Sequence, residues 1–162
     1  MTALLRWLEA TAFNDWIAES APLVVFPGIL AAHTIGLGLV AGLNGALDLR
    51  LLGVARDMPP SAFLRFLGVM HLGLWLNVIS GVALVLVFPT KALTNPVFYL
   101  KLAMIAAALL VLRVILHRVR TGDLGSRNTR LLAGASLFFW AAAITAGRLL
   151  AYRRLLFDAG GA

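Results

Sequence analysis

Long apolar runs, separated by short charged stretches, set the pattern of this chain. Four runs are long enough to cross a bilayer as helices: about Pro22–Leu47, Leu64–Phe88, Val97–His117 and Leu131–Leu150. A hydrocarbon core of about 30 Å takes roughly 20 helical residues at about 1.5 Å each. The breaks between the runs are polar. Asp48-Leu49-Arg50 closes the first, and the loop from Gly53 to Ala62 carries Arg56, Asp57 and Pro59-Pro60. Pro89 ends the second run, and Thr94-Asn95-Pro96 opens the third with a polar cap followed by proline. Ahead of the first run, residues 4–19 read as a short amphipathic helix anchored by Leu4, Trp7, Leu8, Phe13 and Trp16, and paired tryptophans suit the membrane interface. The pattern predicts an all-α fold: a four-transmembrane-helix bundle with a short amphipathic N-terminal interfacial helix, forming a single integral membrane domain over residues 1–162.

Composition agrees with this pattern. Hydrophobic residues make up 61% of the chain and charged residues 13%, against about 25% charged in an ordinary soluble domain. No cleavable signal peptide is expected, because Arg6, Glu9, Asp15 and Glu19 break the first apolar stretch. The absence of cysteine rules out disulfides, iron–sulfur ligation and thioether attachment of haem. The net charge of +7 does not imply nucleic acid as a partner. The basic residues stand at helix ends and in loops, where they meet phospholipid headgroups, and no soluble module offers a basic face. The loops after the first and third spans hold seven of them (Arg50, Arg56, Arg65, Arg118, Arg120, Arg127 and Arg130) against six at most on the other side. That bias predicts those loops in the cytoplasm and both termini in the periplasm of a bacterial inner membrane.

The candidate chemistry lies in three histidines. His33 interrupts the uncharged Ile29-Leu30-Ala31-Ala32, His71 sits in the second span, and His117 closes the third. An imidazole in hydrocarbon needs a partner, and such residues are functional-site candidates by default. Counting residues into each span puts His33 about 13 Å, His71 about 20 Å and His117 about 30 Å from the outer edge. His33 with His71, or His71 with His117, could then share a metal, whereas His33 and His117 are too far apart. The second span also carries a stripe of small and polar residues: Gly73, Asn77, Ser80 and Gly81. Gly36, Gly38, Gly42 and Gly45 stud the first span, letting helix backbones or a flat cofactor come close. Lys101, Arg113 and Arg148 lie inside or near apolar runs. Each is either a snorkelling cation or an anion contact for haem propionates or a quinone-type headgroup.

Imidazole suits haem iron, copper or zinc. Without cysteine, and with few carboxylates in the spans, a copper or zinc cage is poorly provided. Haem needs only one or two imidazoles, small neighbours and cations for its propionates. No span carries an Asp or Glu placed as a proton relay or general base on this reading, and no Ser–His–Asp, HExxH or nucleotide-binding pattern occurs.

The runs Trp7-Leu8-Glu9-Ala10-Thr11, Ala32-His33, Asp48-Leu49-Arg50-Leu51-Leu52-Gly53, Ser80-Gly81 and Asn95-Pro96-Val97-Phe98 with Lys101 resemble a bacterial four-helix membrane family of unknown function, over most of the chain. In that pattern the first-span histidine is His33, the third-span lysine Lys101, and the histidine near the third-span end His117. His71 stands outside it. More distantly, His33 and Lys101 are similar to positions in the copper-resistance-D-like and membrane protoporphyrinogen oxidase families, and the latter implies a b-type haem environment.

Together these readings lead to an expected function: a membrane b-type haem protein with one or two non-covalent haems, passing electrons to or from a quinone or a cytochrome partner. His33, His71 and His117 are the candidate axial ligands, and Lys101, Arg113 and Arg148 the candidate propionate or headgroup contacts. A cofactor-free anchoring subunit of a larger membrane complex, and a porphyrin-handling membrane oxidoreductase, are the alternatives.

Overall fold

The computed structural model describes residues 24–87, 89–124 and 126–157; the expected interfacial helix at 4–19 lies outside them. The described residues are helical, in the order α1 (Val25–Leu52), a 3-10 helix (Pro60–Phe66), α2 (Leu67–Val87), α3 (Pro89–Leu93), α4 (Pro96–Thr121) and α5 (Arg127–Phe157). Four stretches are long and apolar enough to cross a membrane: Val25–Leu52, Pro60–Val87, Pro96–Thr121 and Arg127–Leu150. Between 11% and 28% of the most apolar part of each is buried. The rest of that apolar surface, including Leu72, Trp75, Leu110, Leu131 and Phe138, faces outward, as lipid-facing helices require.

The helix ends follow from local chemistry. At the start of α4, the Asn95 side chain accepts a hydrogen bond from Val97 N at 3.0 Å, and Pro96 takes the first position, where a missing N–H costs nothing. Gly122 ends that helix in the left-handed region at φ 76°, its N–H donating to Arg118 O. At the end of α1, Gly53 N donates to Arg50 O (3.1 Å) and Val54 N to Leu49 O (3.0 Å). These two bonds make a Schellman cap, and Gly53 at φ 109° supplies the positive φ it needs. Arg50 then folds over the loop, donating to the Met58 and Arg56 carbonyls.

Backbone contacts group the chain into two units. One takes the residues up to Gly42 with Leu67–Thr94; the other takes Leu43–Phe66 with the residues from Asn95 on. In the first unit, α1 and α2 approach at glycine. A Cβ at Gly36 would stand 2.6 Å from Asn77 N and 2.8 Å from Gly73 O, and one at Gly73 would stand 2.7 Å from Leu39 Cβ. Only hydrogen fits between backbones this close, the small-residue mode of helix association in lipid.

The second unit is built differently. Leu47, Ile115 and Val119 form a buried apolar cluster, with Leu51, Phe63, Leu64, Val111, Leu116, Leu124 and Leu132 packed around it. The α4–α5 pair adds buried alanines: Ala108 on α4, and Ala133, Ala143 and Ala146 on α5. Their spacing along α5 is helical, so one small-residue face meets the partner helix.

Candidate functional site

His33 lies on α1 opposite the small and polar stripe of α2. Its Nδ1 is 3.1 Å from Asn77 O and 3.2 Å from Ser80 Oγ. A carbonyl oxygen can only accept, so Nδ1 carries the proton. Ser80 fits this: its hydroxyl donates to Leu76 O at 2.6 Å, leaving a lone pair for His33. The Asn77 amide returns the favour, Nδ2 donating to His33 O at 2.8 Å. Each residue's side chain thus bonds the other's backbone, and the pair fixes both the position and the tautomer of the ring. With Nδ1 protonated, the neutral imidazole carries its lone pair on Nε2. The ring lies over Gly81, where a Cβ would be 3.1 Å from His33 Cε1. The stripe of Gly73, Asn77, Ser80 and Gly81 is therefore the complement of His33 and of the Gly36 contact.

His71 does not join this cluster. It is exposed on α2, and its Nδ1 bonds Leu67 O of its own helix at 2.8 Å. Asn77, the partner of His33, lies six residues further along α2, about 9 Å of helix rise. Counting residues along the helices allowed His33 and His71 to share a metal. It located each histidine in its span but not the face each one takes. The glycines also divide. Gly36 and Gly73 are closed by backbone, while Gly38 and Gly42 have nothing within 4 Å of a Cβ, so the Gly38–Gly42 pair packs against no helix among the described residues.

The remaining candidates fall in the second unit. His117 and Arg113 are exposed on α4, and Arg148 is exposed on α5. Lys101 is half-buried with its chain across α5, Cε 3.6 Å and Nζ 3.8 Å from the position of a Cβ at Gly147. Among the described residues, no group of three or more His, Cys, Asp or Glu comes together as a metal cage.

Sequence reasoning missed the most deeply buried polar cluster. Asp48, taken as the charge that ends the first span, lies within α1 and is 0% exposed. So are Asn44, one turn earlier on the same face, and Ser136 on α5. Asn44 Nδ2 is 2.6 Å from Asp48 Oδ2 and 2.7 Å from Ser136 Oγ, so the one amide links the carboxyl to the hydroxyl. Trp140 follows Ser136 by one turn and is buried. Among the described residues, Asn44 Oδ1, Asp48 Oδ1 and, one turn beyond Ser136, Trp140 Nε1 are buried with no hydrogen-bond partner. The signal available in the sequence was the spacing of four between Asn44 and Asp48, flanking Leu47. A second polar group in this unit caps its loop end, where Arg118 donates to Ser126 Oγ (3.0 Å) and Thr129 Oγ1 (2.9 Å).

Compared with protein-family models, with curated proteins and with solved structures, the chain matches none.

Proposed function

We propose that the protein is a b-type haem protein of the bacterial cytoplasmic membrane, with His33 as an axial ligand, carrying electrons to or from a quinone or a cytochrome. One observation carries this reading: His33 Nδ1 lies 3.1 Å from the Asn77 carbonyl oxygen, which can only accept. Ligating histidines donate their second nitrogen to a carbonyl or carboxylate, which fixes the tautomer and strengthens the ligand. Asn77 and Ser80 do this for His33, and Gly81 leaves room for the ring. The residues present therefore fit a haem held by His33. Bound haem would supply one-electron iron chemistry, tuned by this ligand and by burial. The roles of Lys101, Arg113 and Arg148 as propionate or headgroup contacts, and of His117 as a further ligand, rest on charge and on the family resemblance.

The reciprocal His33–Asn77 bonds also favour a second reading, a cofactor-free anchoring subunit in which the histidine joins two helices. The visible spectrum of mildly purified protein from haem-replete cells separates the two. The haem reading predicts a Soret band and a reduced-minus-oxidised signal that survive His71→Ala and vanish in His33→Ala, with helix content unchanged by circular dichroism. A colourless wild-type protein, or a His33→Ala variant that keeps its full haem signal, would overturn it in favour of the anchoring subunit.

A further inference from the structure

We propose that Asp48, with Asn44 and Ser136, is a proton-binding site inside the membrane, independent of any haem at His33. An ionisable side chain within a span is costly and is kept where it binds an ion, relays a proton or meets a counter-ion. Asp48 has no counter-ion among the described residues. The charged groups of the elements around it are turned elsewhere. Arg50 of its own helix holds the Met58 and Arg56 carbonyls. Arg65 of the 3-10 helix lies over the Phe66 ring, and Arg118 of α4 is spent on Ser126 and Thr129. Arg113, His117 and Arg120 of α4 and Arg127, Arg130 and Arg148 of α5 are exposed, and the Lys101 chain lies against Gly147. Asp48 is bonded to the Asn44 amide, which also bonds the Ser136 hydroxyl, and amide and hydroxyl can each exchange donor for acceptor.

That exchange is the basis of the site. With Asp48 ionised, Asn44 Nδ2 donates to Asp48 Oδ2 and to Ser136 Oγ, and Asn44 Oδ1 is left unpaired, as in this structure. A proton on Asp48 Oδ2 makes that oxygen a donor facing the amide nitrogen, which is unfavourable. Half a turn of the amide exchanges the places of Nδ2 and Oδ1. Asp48 and Ser136 then both donate to Asn44 Oδ1 across the same separations. Those separations, 2.6 and 2.7 Å, lie nearer the usual O–H···O length of about 2.7–2.8 Å than the N–H···O length of about 2.9–3.0 Å. The cluster therefore accommodates both states with little movement of its heavy atoms.

Water completes the cycle. The proton comes from hydronium and returns to water, and no electron moves. The three unpartnered atoms, two acceptors and one donor, are the kind of buried groups that an internal water satisfies.

Infrared difference spectroscopy of the full chain in lipid nanodiscs, stepped in pH, tests the proposal. The expected result is a component of the carboxylic-acid C=O band, distinct from that of the exposed carboxyls, that grows as pH falls and shifts in deuterated water. It is lost in Asp48→Asn and kept in Asp57→Asn and Asp123→Asn, whose carboxyls are exposed. Ser136→Ala serves as a second variant should Asp48→Asn fail to fold; it should keep the band and move its frequency. An absent or pH-independent band, or one unmoved by Ser136→Ala and unaffected by Asp48→Asn, would overturn the proposal. A band that responds to sodium against potassium at fixed pH would also overturn it, replacing the proton with a metal cation.

Discussion

His33 and Asp48 belong to one helix, fifteen residues apart in sequence, and meet opposite surroundings. Around His33, side chain and backbone bond each other in both directions between two helices held together by glycine. Around Asp48, three fully buried residues share hydrogen bonds, and among the described residues Asn44 Oδ1 and Asp48 Oδ1 stay unpaired. Polar groups in lipid find no water to satisfy them. A fully bonded cluster therefore fixes orientation, which is what a ligand needs. A buried cluster with acceptors left over has room for a change of state, which is what an exchangeable proton needs.

Substitutions can break or sharpen this contrast. The largest effect is expected from Asn44→Leu, which leaves Asp48 Oδ2 and Ser136 without their donor; about 3 kcal/mol of stability should be lost. Replacing all three residues with apolar ones of similar volume should restore most of it, because a buried polar set exchanged whole is often neutral. Thermal unfolding in detergent measures both. If the triple variant is as unstable as the single one, polarity is not what limits this cluster.

Gly36→Ala should cost about 2 kcal/mol by overpacking, since its Cβ would press on the backbone of α2. Gly38→Ala, with open space at its Cβ, should cost little by the same assay. Equal effects at the two positions would mean that the α1–α2 backbone approach is not what holds the first unit. Ser80→Ala removes one acceptor from His33 while the Asn77 carbonyl remains, so a loss of about 1 kcal/mol is expected, within the range for interhelical bonds in lipid. Trp140→Phe removes an unpaired N–H, and its stability should change by less than about 1 kcal/mol. A larger loss would reveal a bound water or ligand on that nitrogen.

Much of the fold was legible in the sequence. All four spans follow from apolar length, and Asn95-Pro96 fixed the start of α4 before any contact was known. The ends were set too short at the charged residues. Arg50, Arg118, Arg120, Arg127 and Arg130 lie within helices, because a helix continues into the headgroup region where its charges are solvated. Asp48 was hidden by the same habit: an acidic residue at the end of an apolar run looks solvated, and its burial follows from Ser136, ninety-two residues away from Asn44 in the chain. The His33 site was half legible. The stripe of Gly73, Asn77, Ser80 and Gly81 was visible as small and polar positions on α2, but that it meets His33 while His71 bonds its own helix depends on packing. Depth along a helix can be counted from sequence; the face a residue presents depends on the packing partner.

Imidazole rescue tests the central claim most directly. His33→Gly removes the ligand and leaves a ring-sized space beside Asn77 and Gly81. If His33 is the axial ligand, this variant lacks the Soret band, and free imidazole restores it with a reduced-minus-oxidised signal close to that of the wild type. A wild-type protein without the band, or a variant that binds haem equally well with and without imidazole, would contradict the account.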